Sequence, residues 1–126
     1  MEIDGTITFF YYDDLASAAR FYEDVMGFEM VIDIPLAKVF RVHSGSHVGL
    51  VDGHSGYLGF MDDKPVMLSW FSEDIDGWYR RLLESGVEVE QPPTKQSYLE
   101  MKTMLFRDPE GYLLEILQWL KKPYGS

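Results

Sequence analysis

The chain has no cysteine, few basic residues and no long apolar run. The absence of cysteine among its 126 residues excludes disulfides and thiolate metal ligands, and it fits a cytoplasmic location. Lysine and arginine number 11 against 21 acidic residues, a net charge of −10. This balance argues against a nucleic-acid partner, because phosphate contacts need a basic surface. No run is long enough to span a bilayer, and Met1-Glu2-Ile3-Asp4 lacks the regions of a signal peptide, so we expect no membrane partner.

Hydrophobic and aromatic residues are plentiful. They make up 46% and 15% of the chain, so the protein can bury a core and is globular rather than disordered. The aromatic content exceeds what a small core needs, which predicts an aromatic-lined pocket or an apolar subunit interface. The acidic charge serves solubility and would also attract cationic ligands.

A pattern of elements occurs twice along the chain. Each half predicts a strand, a helix that starts at an aspartate and stops at a glycine, and three further strands. The two helices, Asp14 to Gly27 and Asp74 to Gly86, are offset by roughly 60 residues, which indicates an internal duplication. The predicted strands are Thr6–Tyr12, 28–34, 37–43, 47–52, 66–71, 87–90, 101–107 and 112–120, with a loop at 91–96.

The duplication predicts an α+β fold with one domain, 1–126. It comprises module one at 1–53, a linker at 54–64, module two at 65–120 and a tail at 121–126. Each βαβββ module covers one sheet face with a helix and leaves the other face bare. Two modules side by side can form a curled mixed sheet around a concave cavity, and that cavity is the natural site for a small-molecule ligand.

The closing hairpin carries one acidic residue in an apolar strand. Pro109 and Gly111 favour a turn after Arg107, and Glu115 follows inside the second strand. A carboxylate in such a position costs free energy unless it is paired, hydrogen-bonded, solvated or metal-bound. Glu115 is therefore a candidate functional residue.

Two segments of the chain resemble a known superfamily. FYEDVMGFE (residues 21–29) and DPEGYLLE (residues 108–115) are similar to motifs of the glyoxalase/bleomycin resistance protein/dioxygenase group, the vicinal oxygen chelate superfamily. The resemblance implies paired βαβββ modules that form a cup, commonly completed as a homodimer. In metal-dependent members it also implies one His, Glu or Gln ligand on each of four strands around the cup.

Transferred position by position, most of this ligand pattern is missing. The last ligand matches Glu115, whereas the others fall near Ile7, Gly49 and Val66, whose side chains cannot bind a metal. Strand alternation places His47 on the face of Gly49, but His47 and Glu115 would supply only two ligands. We therefore expect neither a metal nor another cofactor.

Strand alternation also predicts which side chains line the cup. If Arg107 and Tyr112 form the last hairpin pair, Met104 faces Glu115 across the ladder, and Lys102 shares that face as a counter-charge for Glu115. Each candidate also has a structural explanation in core packing or exposure to water. The predicted ligand-binding residues are Phe9, Tyr11, His47, Trp70, Lys102, Met104, Phe106 and Glu115.

The sequence leaves two functions open. The first is a metal-free binding protein, similar to the bleomycin-resistance branch, for an aromatic or cationic molecule, because aromatic faces and acidic groups attract cations. The second is a glyoxalase-related lyase or isomerase, which is either metal-dependent or uses Glu115 to remove a proton next to a carbonyl group, with Tyr11 or His47 as proton donor. The missing metal ligands favour the first.

Overall fold

The structure, a computed structural model, describes residues 1–125 in two compact units. The first unit comprises Met1–Asp63, and the second begins at Lys64, so the division falls at the end of the predicted linker. Ser126, the last residue of the predicted tail, lies outside the described residues. Within residues 1–125, no helix is long and apolar enough to cross a membrane.

The first unit is a four-stranded sheet with one helix. The sheet order is β1-β4-β3-β2, with β1 parallel to β4 and the other neighbours antiparallel. Asp14 caps the helix by accepting the N–H of Ser17 at 3.1 Å, and Gly27, with φ +73°, follows its end as expected. The elements are β1 (Thr6–Tyr12), α1 (Leu15–Arg20), a π-helical turn (Phe21–Val25), β2 (Glu29–Asp33), β3 (Ala37–His43) and β4 (Ser46–Asp52).

The π-helical turn replaces the second half of the α-helix that the sequence predicts. Met26 N–H donates to the Phe21 carbonyl at 3.1 Å, a bond that spans five residues. The turn leaves the neighbouring residues Phe21 and Tyr22 both buried. The Tyr22 ring packs 6.1 Å from that of Phe40, and its hydroxyl lies 3.3 Å from that of Tyr12.

The second unit repeats the same plan. Its sheet order is β5-β8-β7-β6, again with the first strand parallel to the last. Asp74 caps the helix by accepting the N–H of Gly77 at 3.0 Å, and Gly86 follows it at φ +77°. The elements are β5 (Met67–Phe71), α2 (Ile75–Glu84), β6 (Val89–Lys95), β7 (Met101–Arg107) and β8 (Leu113–Trp119). The duplication and the α+β class of two βαβββ modules are thus confirmed.

Strand β6 corrects one prediction. The segment 91–96 is predicted as a loop because of Pro92 and Pro93, but its residues 91–95 belong to a strand paired with β7. β6 is the edge strand, and its register shifts on both sides of Gln91. Edge strands and bulges are where a sheet tolerates proline, since a missing N–H there breaks no ladder bond.

The closing hairpin is one residue longer than predicted. Asp108 and Tyr112 close the turn through the bond from Asp108 N–H to the Tyr112 carbonyl at 3.0 Å. Arg107 therefore pairs with Leu113, not with Tyr112. A shift of one residue moves every side chain of a strand to the other face relative to its partner, so Glu115 pairs with Leu105 rather than with Met104.

Each sheet has a helix face and an opposite face, here called the open face. On the helix face of the second unit, α2 buries Ile75 and Leu82 completely. Four sheet residues on that face are also at most 1% exposed: Met104, Phe106, Leu114 and Ile116. The hydrophobic core of this unit therefore lies between α2 and the sheet, and Glu115 is on the other side.

Candidate functional site

Glu115 lies partly buried on the open face of the second unit. Its Oε1 accepts a hydrogen bond from the Ser69 hydroxyl at 2.7 Å, and Ser69 is its register partner on β5. Within residues 1–125, no lysine, arginine or histidine forms an ion pair with Glu115. The carboxylate is therefore oriented by one hydroxyl and keeps most of its capacity to accept hydrogen bonds.

One row of paired residues crosses the whole open face. Ser69 on β5 pairs with Glu115 on β8, which pairs with Leu105 on β7, and Leu105 pairs with Gln91 on β6. Since neighbouring strands lie about 4.8 Å apart, the backbones of Glu115 and Gln91 are separated by about 10 Å, with Leu105 between them. The row places an acid and an amide on either side of an apolar side chain.

A second polar group lies beside the Gln91 end of this row. Thr103 is 2% exposed. Its hydroxyl accepts a hydrogen bond from Gln96 Nε2 at 2.7 Å and donates one to Gln91 Oε1 at 3.3 Å. Thr103 therefore holds two partly buried glutamine side chains in fixed orientations.

Apolar side chains surround the polar ones. Period two along β5 and β8 puts the even-numbered residues on the helix face and the odd-numbered ones on the open face. Phe71 is 61% exposed and its ring centroid lies 6.2 Å from that of Trp119, at the end of the same face. The apolar residues of the open face include Met67, Phe71, Leu105, Leu113, Leu117 and Trp119.

Four predicted binding residues of the second unit lie on the helix face, opposite Glu115. Met104 and Phe106 are completely buried in the core, and Lys102 pairs with Gln118, so Lys102 is not a counter-charge for Glu115. Trp70 pairs with Ile116 and is on the helix face as well. The prediction that these side chains share a face with Glu115 is wrong. For Lys102, Met104 and Phe106 it assumed a hairpin register that the longer turn shifts by one residue. For Trp70 it assumed the wrong alternation of faces along β5.

Three predicted binding residues of the first unit do share one face. Phe9, Tyr11 and His47 lie on its open face, since Phe9 pairs with Gly49 and Tyr11 with Val51 in the parallel β1–β4 ladder. Phe9 is 49% exposed, and His47 Nδ1 lies 3.3 Å from the Thr6 carbonyl oxygen, to which it can donate. The alternation that the sequence predicts for these strands is therefore present, and ligand contact by these residues stays a prediction.

The four positions that the resemblance assigns to metal ligands do not fit a metal. Ile7, Gly49 and Val66 have no donor atom, and only Glu115 does. The place of a side chain at Gly49 is taken by the Phe9 ring, because a Cβ there would lie 2.5 Å from its carbons. Among residues 1–125, no three His, Cys, Asp or Glu side chains are grouped as a metal site requires.

Two groups with shifted pKa values lie in the first unit, one at the end of β4 and one just after it. The pKa of His54 is raised above 6.5, chiefly because its Nε2 hydrogen bonds to the Asp13 carboxylate at 2.7 Å. The pKa of Asp52 is lowered below 3.8, chiefly by the backbone N–H of His54 and next by the Ser55 hydroxyl. These contacts fasten the start of the segment that follows β4 to the end of β1.

Sequence reasoning missed four polar residues of the open face: Ser69, Gln91, Gln96 and Thr103. Ser69 could have been found from the parallel pairing of the first and last strands of each module, which places it beside Glu115. Gln91 and Gln96 were hidden by the prolines between them, which favour a loop. The predicted hairpin register would place Thr103 on the face opposite Glu115, whereas its pairing with Leu117 puts it on the open face.

Comparison with known proteins identifies relatives of the chain. Residues 6–116 match the Glyoxalase/Bleomycin resistance protein/Dioxygenase superfamily. Metallothiol transferase FosB from Shouchella clausii (strain KSM-K16) is 43% identical over 51 residues, which are 40% of this chain. The aligned segment spans 35% of the length of that curated relative.

Solved structures share the fold over nearly the whole chain. Lactoylglutathione lyase from Agrobacterium tumefaciens has a TM-score of 0.76 at 24% identity, covering 89% of this chain and 90% of that one. A glyoxalase/bleomycin resistance protein/dioxygenase from Nocardioides has a TM-score of 0.80 at 22% identity, covering 100% and 91%. TioX from Micromonospora sp. ML1 has a TM-score of 0.77 at 20% identity, covering 92% and 98%. With the family match over residues 6–116, these observations establish that the chain belongs to the glyoxalase/bleomycin resistance protein/dioxygenase superfamily.

Proposed function

We propose that the chain is a small-molecule-binding protein that works without a catalytic metal. Its ligand carries a positively charged group next to an aromatic or apolar surface. The positive group binds the Glu115 carboxylate, and the apolar surface packs on the open face of the second unit.

Glu115 is the observation that carries this proposal. A partly buried carboxylate among apolar side chains loses part of its hydration, and a hydrogen bond from Ser69 replaces only part of that loss. A ligand cation would replace the rest through a charge-assisted hydrogen bond. Lys102 is on the other face, and within residues 64–125 no lysine, arginine or histidine forms an ion pair with Glu115.

The surroundings of Glu115 favour the same class of ligand. Phe71 offers an exposed ring on the same face, and aromatic rings attract cations and stack on aromatic ligands. The net charge of −10 would attract a cationic ligand and repel an anionic one. Specific binding then depends on Glu115 and its apolar neighbours.

Titration with 2-phenylethylamine tests the proposal. This probe combines an ammonium group with a phenyl ring. We expect amide NMR signals of Ser69, Leu105 and Glu115 to shift on titration, and we expect Glu115→Gln to weaken binding about tenfold, since about 1.4 kcal/mol of ion-pair free energy would be lost. Gln is nearly isosteric with Glu, so the fold should persist. Binding that is equally strong in Glu115→Gln, or no binding at millimolar probe, would contradict the proposal.

Metal analysis provides an independent test. The purified protein should contain no stoichiometric divalent metal, and Ni²⁺, Zn²⁺ and Mn²⁺ should leave its melting temperature unchanged, since Glu115 alone is a poor site. A stoichiometric metal that is lost in Glu115→Ala would overturn the metal-free binding protein.

An enzyme is the second candidate, and the relatives favour it. The aligned curated relative is a transferase, and one structural neighbour is a lactoylglutathione lyase. In a lyase or isomerase, Glu115 would act as a general base on a proton next to a carbonyl group. S-lactoylglutathione in deuterated water tests this candidate: a base would exchange the lactoyl α-proton for deuterium, and Glu115→Gln would stop the exchange.

The homodimer that the resemblance implies stays a prediction.

A further inference from the structure

We infer that Gln91, Thr103 and Gln96 form a second anchoring site on the open face, for an uncharged amide group of the ligand. This inference rests on the proposed function, because it assigns the far end of a ligand whose positive end binds Glu115. The three residues are called the amide cluster below.

Thr103 makes the amide cluster rigid. Its hydroxyl is buried and can donate only one hydrogen, which goes to Gln91 Oε1 at 3.3 Å. The hydroxyl oxygen of Thr103 also accepts from Gln96 Nε2 at 2.7 Å. Each glutamine thus has one end of its side-chain amide fixed by the protein, which reduces the entropy lost when the other end binds a ligand.

The remaining ends of the two glutamines are a donor and an acceptor. With Oε1 of Gln91 occupied, its Nε2 has two hydrogens to donate, and with Nε2 of Gln96 occupied, its Oε1 can accept. Neither group has a protein partner among residues 1–125. A carboxamide or peptide group presents the complement, a carbonyl that accepts and an N–H that donates. A carboxylate would place an acceptor against the acceptor oxygen of Gln96, and an ammonium group would place a donor against the N–H donors of Gln91. Both groups therefore fit the cluster less well.

The register sets the length of the ligand. Gln91 lies two strands from Glu115 in the same row, about 10 Å away between backbones, with Leu105 in the middle. A ring lying on Leu105, with an ammonium group on one side and an amide on the other, has the order of groups that this row requires. The register shifts on both sides of Gln91 are the kind of irregularity that re-aims a side chain at a binding site.

The amide cluster could instead only fasten the proline-containing edge strand β6 to β7. If the cluster only attaches β6 to β7, a substitution in it would lower the stability of the fold and would change the affinity for all probes equally. A binding role would affect only ligands that carry the amide. A pair of probes that differ in the amide alone separates the two roles.

The experiment compares 4-(2-aminoethyl)benzamide with 2-phenylethylamine by calorimetric titration. We expect the benzamide to bind the unmodified chain about fivefold more tightly, the effect of one net hydrogen bond. In Gln91→Leu that advantage should disappear, so that the two probes bind this variant equally tightly. Gln91→Glu keeps the oxygen that accepts from Thr103 and removes the N–H donors, so it should lose the advantage as well.

The outcomes separate this inference from the proposed function. If 2-phenylethylamine binds but the benzamide has no advantage, or keeps its advantage in both Gln91 variants, the amide cluster is not a ligand site and the proposed function stands. If neither probe binds, the proposed function fails and the inference fails with it. Urea denaturation measures the stability of each variant. A loss of affinity for both probes in Gln91→Leu is assigned to unfolding only if the stability of that variant has fallen. In that case the comparison of the two probes in Gln91→Glu decides whether the amide cluster binds the ligand.

Discussion

Replacing Met104 and Leu105 separately by alanine tests which side of β7 is the core. In the structure, Met104 is completely buried under α2, whereas its neighbour Leu105 is partly exposed on the open face beside Glu115. Met104→Ala should lower the free energy of unfolding by about 2–5 kcal/mol, the range for emptying a fully packed core position. Leu105→Ala should cost about 1 kcal/mol, because only part of the side chain leaves water on folding.

Urea denaturation measures both variants under identical conditions. With a slope of about 1–3 kcal/mol per molar urea, a loss of about 3 kcal/mol for Met104→Ala moves the midpoint by about 1–3 M, which is easily resolved from the smaller change at Leu105. The slope should be the same in both variants. If Leu105→Ala were the more damaging change, Leu105 would be the core residue and Met104 would face Glu115, as the shorter hairpin requires, and the pairing of Glu115 with Leu105 would be wrong.

Two further predictions concern the turn after β7 and the segment after β4. Asp108→Ala should destabilise the fold by about 1–3 kcal/mol, measured by urea denaturation, because the buried carboxylate accepts the N–H groups of Glu110 and Tyr112, each at 3.0 Å; a change below about 0.5 kcal/mol would contradict this. The pKa of His54 is raised in the folded state, so the His54–Asp13 contact contributes stability below pH 6.5 and loses it as pH rises through the raised pKa. NMR titration should find the pKa of His54 above 6.5 in the unmodified chain, and this pKa should be lower in Asp13→Asn. An equal pKa in both proteins would refute the contact.

Local signals explain why most of the fold could be predicted from the sequence. Helix starts at Asp14 and Asp74 and stops at Gly27 and Gly86 depend on the capping residue and on a left-handed backbone, both of which are written in a few neighbouring positions. The repetition of these signals revealed the duplication, and the duplication predicted the two βαβββ modules.

The faces of β7 and β8 depend on a detail that local signals do not contain. The side chain of Asp108 binds the backbone N–H groups of Glu110 and Tyr112, which makes the turn one residue longer than the Pro-Glu-Gly sequence alone indicates. The extra residue moves Lys102, Met104 and Phe106 away from Glu115. The sequence thus identifies Glu115 as an unusual charge in an apolar strand, but it does not identify the residues that surround Glu115.

The polar part of the open face depends on tertiary pairing. Two prolines give residues 91–96 a loop-like sequence, and only their position at the edge of the sheet allows them to pair with β7. Ser69 contributes to the site because β5 runs parallel to β8. Neither fact can be read from periodicity along one strand.

Recognition of a ligand cation by Glu115 can be measured in a cycle of four affinities. The cycle pairs 2-phenylethylamine with 2-phenylethanol, which replaces the ammonium group by a hydroxyl, and the unmodified chain with Glu115→Gln. We predict that the unmodified chain prefers the amine by about tenfold and that Glu115→Gln abolishes this preference, a coupling of about 1.4 kcal/mol. An equal preference in both proteins would show that Glu115 does not recognise the charge, and the proposed function would be wrong.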